Sequence, residues 1–311
     1  MLRRTIIGKE HGTEYKTGNH SQWPGHVVAM AVVICWGCTF VNTRFLLRGG
    51  MSPAEIFMCR FLIAYLCIWT ISPRTLWSKN LKDEALMALL GLTGGSLYFL
   101  SENTAVGITY VNNVSFIVCT APLITVLLAL ALMPSVKASP RLIGGSLLAV
   151  VGVGLVIFNG HFVLHLNPLG DLLALAAALS WALYSLLMKL VADRYSAVFI
   201  TRKVFAYGLL TMLPFFLVHP WQFPLSSFAR PVIWMNLLFL GLVASFTCFA
   251  LWSWCIRRIG ALKTSNYVYI NPVSTMVASA LFLNEPMTPV AWVGSILILL
   301  GIYLANQSKG I

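Results

Sequence analysis

Arg44, Arg60 and Glu102 lie within long hydrophobic runs. A charged side chain at the centre of a membrane helix costs roughly 2.5–3.5 kcal/mol on insertion scales, so such residues are functional candidates first. Their chemistry is complementary: Glu102 could bind a substrate amine, and Arg60 or Arg44 a substrate carboxylate, as the polar floor of a vestibule. Glu102 is also a candidate proton carrier, because a carboxylate shielded from water favours its neutral form. The competing reading is structural. Arg44 would then reach the interface over its aliphatic stem, and Arg60 would pair with Glu55 or Glu102 to hold helices together.

A second polar group lies in the run Ser265-Asn266-Tyr267-Val268-Tyr269-Ile270-Asn271-Pro272. Proline frees a backbone carbonyl one turn earlier, and polar side chains or water must satisfy it where such a segment lines a cavity. Asn266, Tyr267 and Asn271 are cavity candidates, with Asn113 from the related stretch before Pro122; hydrogen bonding between helices is the alternative. Tyr98, Trp181, Tyr184 and Trp252, together with Trp36 and Trp254, could form an aromatic wall suited to a partly apolar ligand or, by cation–π contact, to an amine. Helix packing competes with that role. Asp171, after Asn167-Pro168, reads as a helix cap.

Other chemistries find little support. The histidines, at 11, 20, 26, 161, 165 and 219, fall in the N-terminal tail, at a helix start or in connections, and neither HExxH nor GxSxG occurs. The cysteines lie in apolar runs, and the Cys35/Cys38 pair has no partner pair to complete a metal site, so they read as small packing residues. No metal or cofactor is implied.

These residues must be positioned by membrane helices. The chain has 311 residues, 59% of them hydrophobic and 10% charged, with a mean hydropathy of +0.83, whereas a soluble domain carries about 25% charged residues. Apolar runs long enough to cross a bilayer predict ten helices, near 26–47, 53–71, 85–105, 111–133, 140–158, 169–192, 197–218, 231–256, 263–283 and 287–305. Residues 1–25 read as a polar cytoplasmic tail, without the apolar core of a secretory signal. With the N-terminus cytoplasmic, every basic residue except Arg44, Arg48, Arg60 and Arg230 falls in the tail or in an inner segment. By the positive-inside rule both termini are then cytoplasmic. The net charge of +12 thus orients helices and gives no reason to expect nucleic acid.

The chain also matches itself. At an offset of 150, Gly91-Leu92 aligns with Gly241-Leu242, Phe99 with Phe249, Ser115 with Ser265, Pro122 with Pro272 and Gly144 with Gly294; at 145, Trp36 aligns with Trp181 and Arg44 with Lys189. Two five-helix repeats, 26–158 and 169–305, follow. Because five is odd, they would be inverted about an axis in the membrane plane, the architecture of alternating-access carriers.

Trp36-Gly37 with Arg44, Pro53 with Arg60-Phe61, Pro122, Gly170-Asp171 leading to Leu179-Ser180-Trp181-Ala182, Pro272, and Glu285-Pro286 with Trp292 and Gly294 together resemble the EamA branch of the drug/metabolite transporter superfamily. The resemblance spans roughly 26–305. It implies an all-α polytopic inner-membrane protein of ten helices that exports or exchanges a small metabolite such as an amino acid. It also implies a central cavity lined largely by helices 1, 3, 4, 6, 8 and 9. The first repeat departs from the pattern, with Ser135 where the second has Glu285. The expected partners are a small-molecule substrate and the lipid bilayer, with a monomer and a homodimer both open. A facilitative, channel-like permease and an intramembrane enzyme are the alternative functions.

Overall fold

The computed structural model describes residues 22–71, 77–109, 111–133, 139–158, 167–283 and 288–307. Every regular element among them is helical. In chain order these are α1 (Trp23–Arg48), α2 (Pro53–Ile71), α3 (Leu81–Ile108), α4 (111–132), α5 (Pro140–Phe158), α6 (Pro168–Ala192), α7 (Ala197–Val218), α8 (Pro231–Ile259), α9 (261–283) and α10 (Pro289–Asn306). Seven helices, α1 to α4 and α6 to α8, contain stretches long and apolar enough to cross a membrane, and shorter apolar helices run over Pro140–Val156 and Trp292–Asn306. Leucines such as Leu172, Leu175, Leu179 and Leu217 stand exposed on the outside, as lipid rather than water would permit. The chain is a multi-pass membrane protein.

Local chemistry sets the helix ends. Ser52 and Glu55 form a reciprocal box at the start of α2, the Ser52 amide donating to Glu55 Oε2 and the Glu55 amide to Ser52 Oγ. Asn80 caps α3 by accepting from the Asp83 amide, and Ser196 caps α7. At α6 the Asn167 side chain accepts from the Gly170 amide, while Asp171 accepts from the Asn167 amide, so the capping role read for Asp171 is shared with Asn167. Gly50 and Gly260 follow α1 and α8 at φ +99° and +89°, a region other residues rarely adopt.

Four helices are irregular. α3 contains a π-helical stretch at Leu92–Ser96, and α8 one at Phe239–Thr247. In each, a backbone carbonyl accepts a side-chain donor from a facing helix: Thr93 from Ser180 Oγ at 2.7 Å, and Ala244 from Trp36 Nε1 at 2.8 Å. α4 breaks at residues 119–120, just before Pro122, and α9 passes through a 3₁₀ turn at Tyr267–Ile270, just before Pro272. Both breaks sit where the missing proline N–H interrupts the helical ladder.

α5 and α10 cross at backbone distance. A Cβ on Gly145 would lie 2.6 Å from the Gly301 carbonyl oxygen, and one on Gly152 would lie 2.6 Å from that of Gly294. The numbers rise along α5 as they fall along α10, so the pair is antiparallel. At the helix ends where α3 and α7 begin, ion pairs join Asp83 to Arg194 and Glu84 to Lys203, and Glu84 also accepts from Tyr207. At the start of α2, Glu55 Oε1 accepts from the amides of Gln222 and Phe223 in the 219–230 connection. Glu55 is therefore a backbone anchor and not the partner of Arg60.

Candidate functional site

A cavity of about 30 Å³ lies among seven helices, room for a water or two. Its walls are Trp36, Thr39 and Phe40 of α1, Arg60 of α2, Tyr98, Phe99 and Glu102 of α3, Val118 of α4, Trp181 of α6, Phe249 of α8, and Val268 and Asn271 of α9. The helices are the six expected from the resemblance together with α2, which contributes the arginine.

Arg60 and Glu102 are 2% and 9% exposed. Both face the cavity, yet neither belongs to an ion pair among the described residues, where the contact pairs are Asp83–Arg194 and Glu84–Lys203. Arg60 Nε donates to Ser245 Oγ at 2.9 Å, and its guanidinium carbon stands 4.3 Å from the centre of the Phe99 ring. Tyr98 donates its hydroxyl to Glu102 Oε1 at 2.9 Å. A cation and an anion thus sit on one small cavity, each steadied by a neutral neighbour. Taking both from water costs several kcal/mol per ion, and a ligand carrying both charges would offset that cost.

The aromatic side chains form two layers. Trp36 meets Trp181 edge-on at 5.3 Å and Trp252 at 5.0 Å, and Trp181 stacks at a tilt against Tyr98 at 5.0 Å and Tyr184 at 5.1 Å. Trp36, Tyr98 and Trp181 line the cavity. Tyr184 and Trp252 are wholly buried behind it, with Tyr184 packed on Gly94. Trp254 lies under Arg258 instead.

The cavity brings together six of the residues singled out from sequence: Trp36, Arg60, Glu102, Tyr98, Trp181 and Asn271. Besides Tyr184, Trp252 and Trp254, four more lie elsewhere or outside the described side chains. Arg44 reaches the Val106 carbonyl at 3.5 Å, tying α1 to the end of α3. Asn266 donates to Asn306 Oδ1 at 2.8 Å, and the Tyr267 hydroxyl bonds His26 Nδ1 at 2.8 Å, so both join helices. The side chain of Asn113, like Ser135, Glu285, His161 and His165, falls outside the described residues. Thr39, Phe40, Phe99, Val118, Phe249 and Val268 carried no sequence signal, being ordinary residues of membrane helices. Only the recurrence at an offset of 150 of Phe99 as Phe249 and of Val118 as Val268 pointed to any of them.

The sequence profile of the EamA-like transporter family matches the chain twice, over residues 23–158 and 168–307. An uncharacterized transporter of Archaeoglobus fulgidus is 25% identical over 293 residues, covering 91% of this chain and 98% of its own. A protein of Escherichia coli named a probable amino-acid metabolite efflux pump is 23% identical, with coverage of 89% and 93%. A probable terminal-alkyne amino-acid exporter of Streptantibioticus cattleyicolor is 25% identical, with coverage of 88% and 91%. A solved crystal structure superposes with a TM-score of 0.69 at 18% identity, over 92% of this chain and 97% of the other, and so shares the fold. With the profile spanning nearly its whole length, the chain belongs to the EamA-like transporter family.

Proposed function

We propose that the protein is a secondary transporter that moves a small metabolite bearing an amine and a carboxylate, an amino acid or close relative, by alternating access. The observation that carries this reading is the cavity with Arg60 and Glu102 buried on it and not paired in contact. Once the helices part to widen the roughly 30 Å³ cavity of this closed form, Arg60 takes the carboxylate, Glu102 takes the amine or a proton, and Trp36 and Trp181 enclose the apolar body. The efflux-pump and exporter names of two relatives support export or exchange.

The mechanical part of the proposal is ten crossings in two inverted repeats, with both termini at the cytoplasmic face of the inner membrane. Four features support it. The profile matches twice. The π-helical stretches fall in α3 and α8, and the proline-linked breaks in α4 and α9. The donors to the two π-helical carbonyls come from α1 and α6, the first helix of each half. The contacts Gly145–Gly301 and Gly152–Gly294 exchange under a two-fold axis through the α5–α10 crossing. In that arrangement Gly145, one residue beyond the Gly144 of the sequence match, is the counterpart of Gly294.

Counterflow in liposomes loaded with amino acids tests the function. Saturating uptake stimulated by internal substrate is expected, and a conductance linear in concentration would replace the carrier with a channel. Glu102→Gln should lose transport or its pH dependence; full pH-dependent transport by this variant would remove Glu102 from both roles.

A further inference from the structure

The hydrogen-bonding capacity left open on the cavity includes acceptors on three helices. Tyr98 spends its hydroxyl proton on Glu102 Oε1, Thr39 spends its own on the Trp36 carbonyl at 2.6 Å, and the Trp36 indole N–H goes to the Ala244 carbonyl. Each donation leaves acceptors behind. Thr39 Oγ1 keeps its lone pairs, and Tyr98 is the sole hydrogen-bond partner of Glu102 among the described residues. Asn271, 7% exposed and on the cavity wall, has a side-chain oxygen with no hydrogen-bond partner among the described residues. The remaining donors are the Arg60 guanidinium, the side-chain NH2 of Asn271 and the unpartnered indole N–H of Trp181.

We propose that Thr39, Asn271 and Glu102 form an ammonium subsite that requires N–H donors on the ligand, so that the cargo is a primary amine and not a quaternary ammonium. A primary ammonium carries three N–H groups and no acceptor, matching three acceptors on three helices, α1, α9 and α3. Trp36 and Trp181 add ring faces that attract a cation. A trimethylated analogue satisfies the charge and the rings equally but leaves the Thr39 and Asn271 oxygens unpaired, and a site built around buried hydrogen bonds rejects a ligand that cannot make them. The subsite deepens the transport reading above, but binding to it does not depend on passage through the membrane.

The test uses the full-length protein in detergent and four probes of one shape: L-leucine, isoamylamine, its N,N,N-trimethyl derivative and 4-methylpentanoate. Trp36 and Trp181 line the cavity, so tryptophan fluorescence reports binding, and thermal unfolding confirms that each variant is folded. Leucine and isoamylamine are expected to bind at least tenfold more tightly than the trimethyl compound. Thr39→Val and Asn271→Leu should each weaken amine binding about fivefold or more and narrow that gap, while Asn271→Asp, which keeps an acceptor, should preserve it. Equal binding of the trimethyl compound, no binding of either primary amine, or an unchanged gap in folded Thr39→Val would overturn the subsite. If Asn271→Leu does not fold, Thr39→Val and Asn271→Asp still decide. The predicted ranking without counterflow would sink the transport reading and leave the subsite standing; counterflow of leucine indifferent to both substitutions would do the reverse.

Discussion

The crossing of α5 and α10 can be tested with two adjacent glycines. A Cβ on Gly145 would stand 2.5 Å from the Ala305 amide nitrogen and 2.6 Å from the Gly301 oxygen, both backbone atoms, whereas one on Gly144 would meet nothing within 4 Å. Gly145→Ala must therefore push the helices apart toward an ordinary contact of at least 3.4 Å, loosening the Gly152–Gly294 approach as well. Overpacking of this kind costs about 1–3 kcal/mol. The gain from replacing glycine in a helix, about 1 kcal/mol, applies to both positions and cancels between them. Gly144→Ala should then be neutral or stabilising, and the two variants should differ by about 1–3 kcal/mol, or roughly 2–6 °C in Tm at about 2 °C per kcal/mol for a chain of this size. Thermal unfolding of the two purified variants in one detergent measures the difference. Equal Tm values would mean that α5 and α10 do not meet at backbone distance, and the two-fold axis drawn through their crossing would lose its support.

Other perturbations separate the roles of the polar groups. Glu84→Gln, at an ion pair whose side chains are 13% and 7% exposed, should destabilise the protein by about 3–5 kcal/mol. Arg194→Gln removes a side chain that is 43% exposed from an Asp83 that is 4% exposed but keeps the Tyr195 hydroxyl as donor, and should cost less than Glu84→Gln; thermal unfolding ranks them, and the reverse order would contradict the burial. Glu55→Ala leaves the Gln222 and Phe223 amides without their acceptor, and their hydrogen exchange should accelerate at least tenfold relative to α7. Ser245→Ala frees Arg60 from its hydrogen bond and should weaken binding of L-leucine more than of isoamylamine, since only leucine carries a carboxylate.

The helices were legible in the sequence because hydropathy and length decide what a bilayer accepts. Arg60 and Glu102 stood out because burial of charge is expensive, and Tyr98 followed because it lies one turn before Glu102. What escaped depended on rotation and not on residue type. Asn266 and Tyr267 sit at and just before a 3₁₀ turn, which winds at three residues per turn instead of 3.6, so Asn271 comes to the cavity while its neighbours in the same polar run face α1 and α10. Arg60 was given Glu55 as a possible partner because the two share a helix, but Glu55 turns to backbone amides that no pattern of side chains announces. Phe40, Phe99 and Phe249 are chemically indistinguishable from the phenylalanines packed around them, and only their position in space marks them as walls.

The π-helical stretch in α3 separates two parts of one helix that share an axis but not a phase. An α-helix advances about 100° per residue, and closing bonds to the fifth residue instead of the fourth accommodates one residue more than a regular turn would. Gly91, just before the stretch, and Gly95, within it, pack on Gly208, while Tyr98 and Glu102, beyond it, face the cavity. Rewinding 92–96 as regular α-helix at unchanged length would swing Glu102 about 100° away from the wall it shares with Arg60, whereas deleting one residue there would restore an unbroken helix and leave Glu102 where it is. The winding of the backbone at this point, more than the identity of any side chain within it, aims the carboxylate.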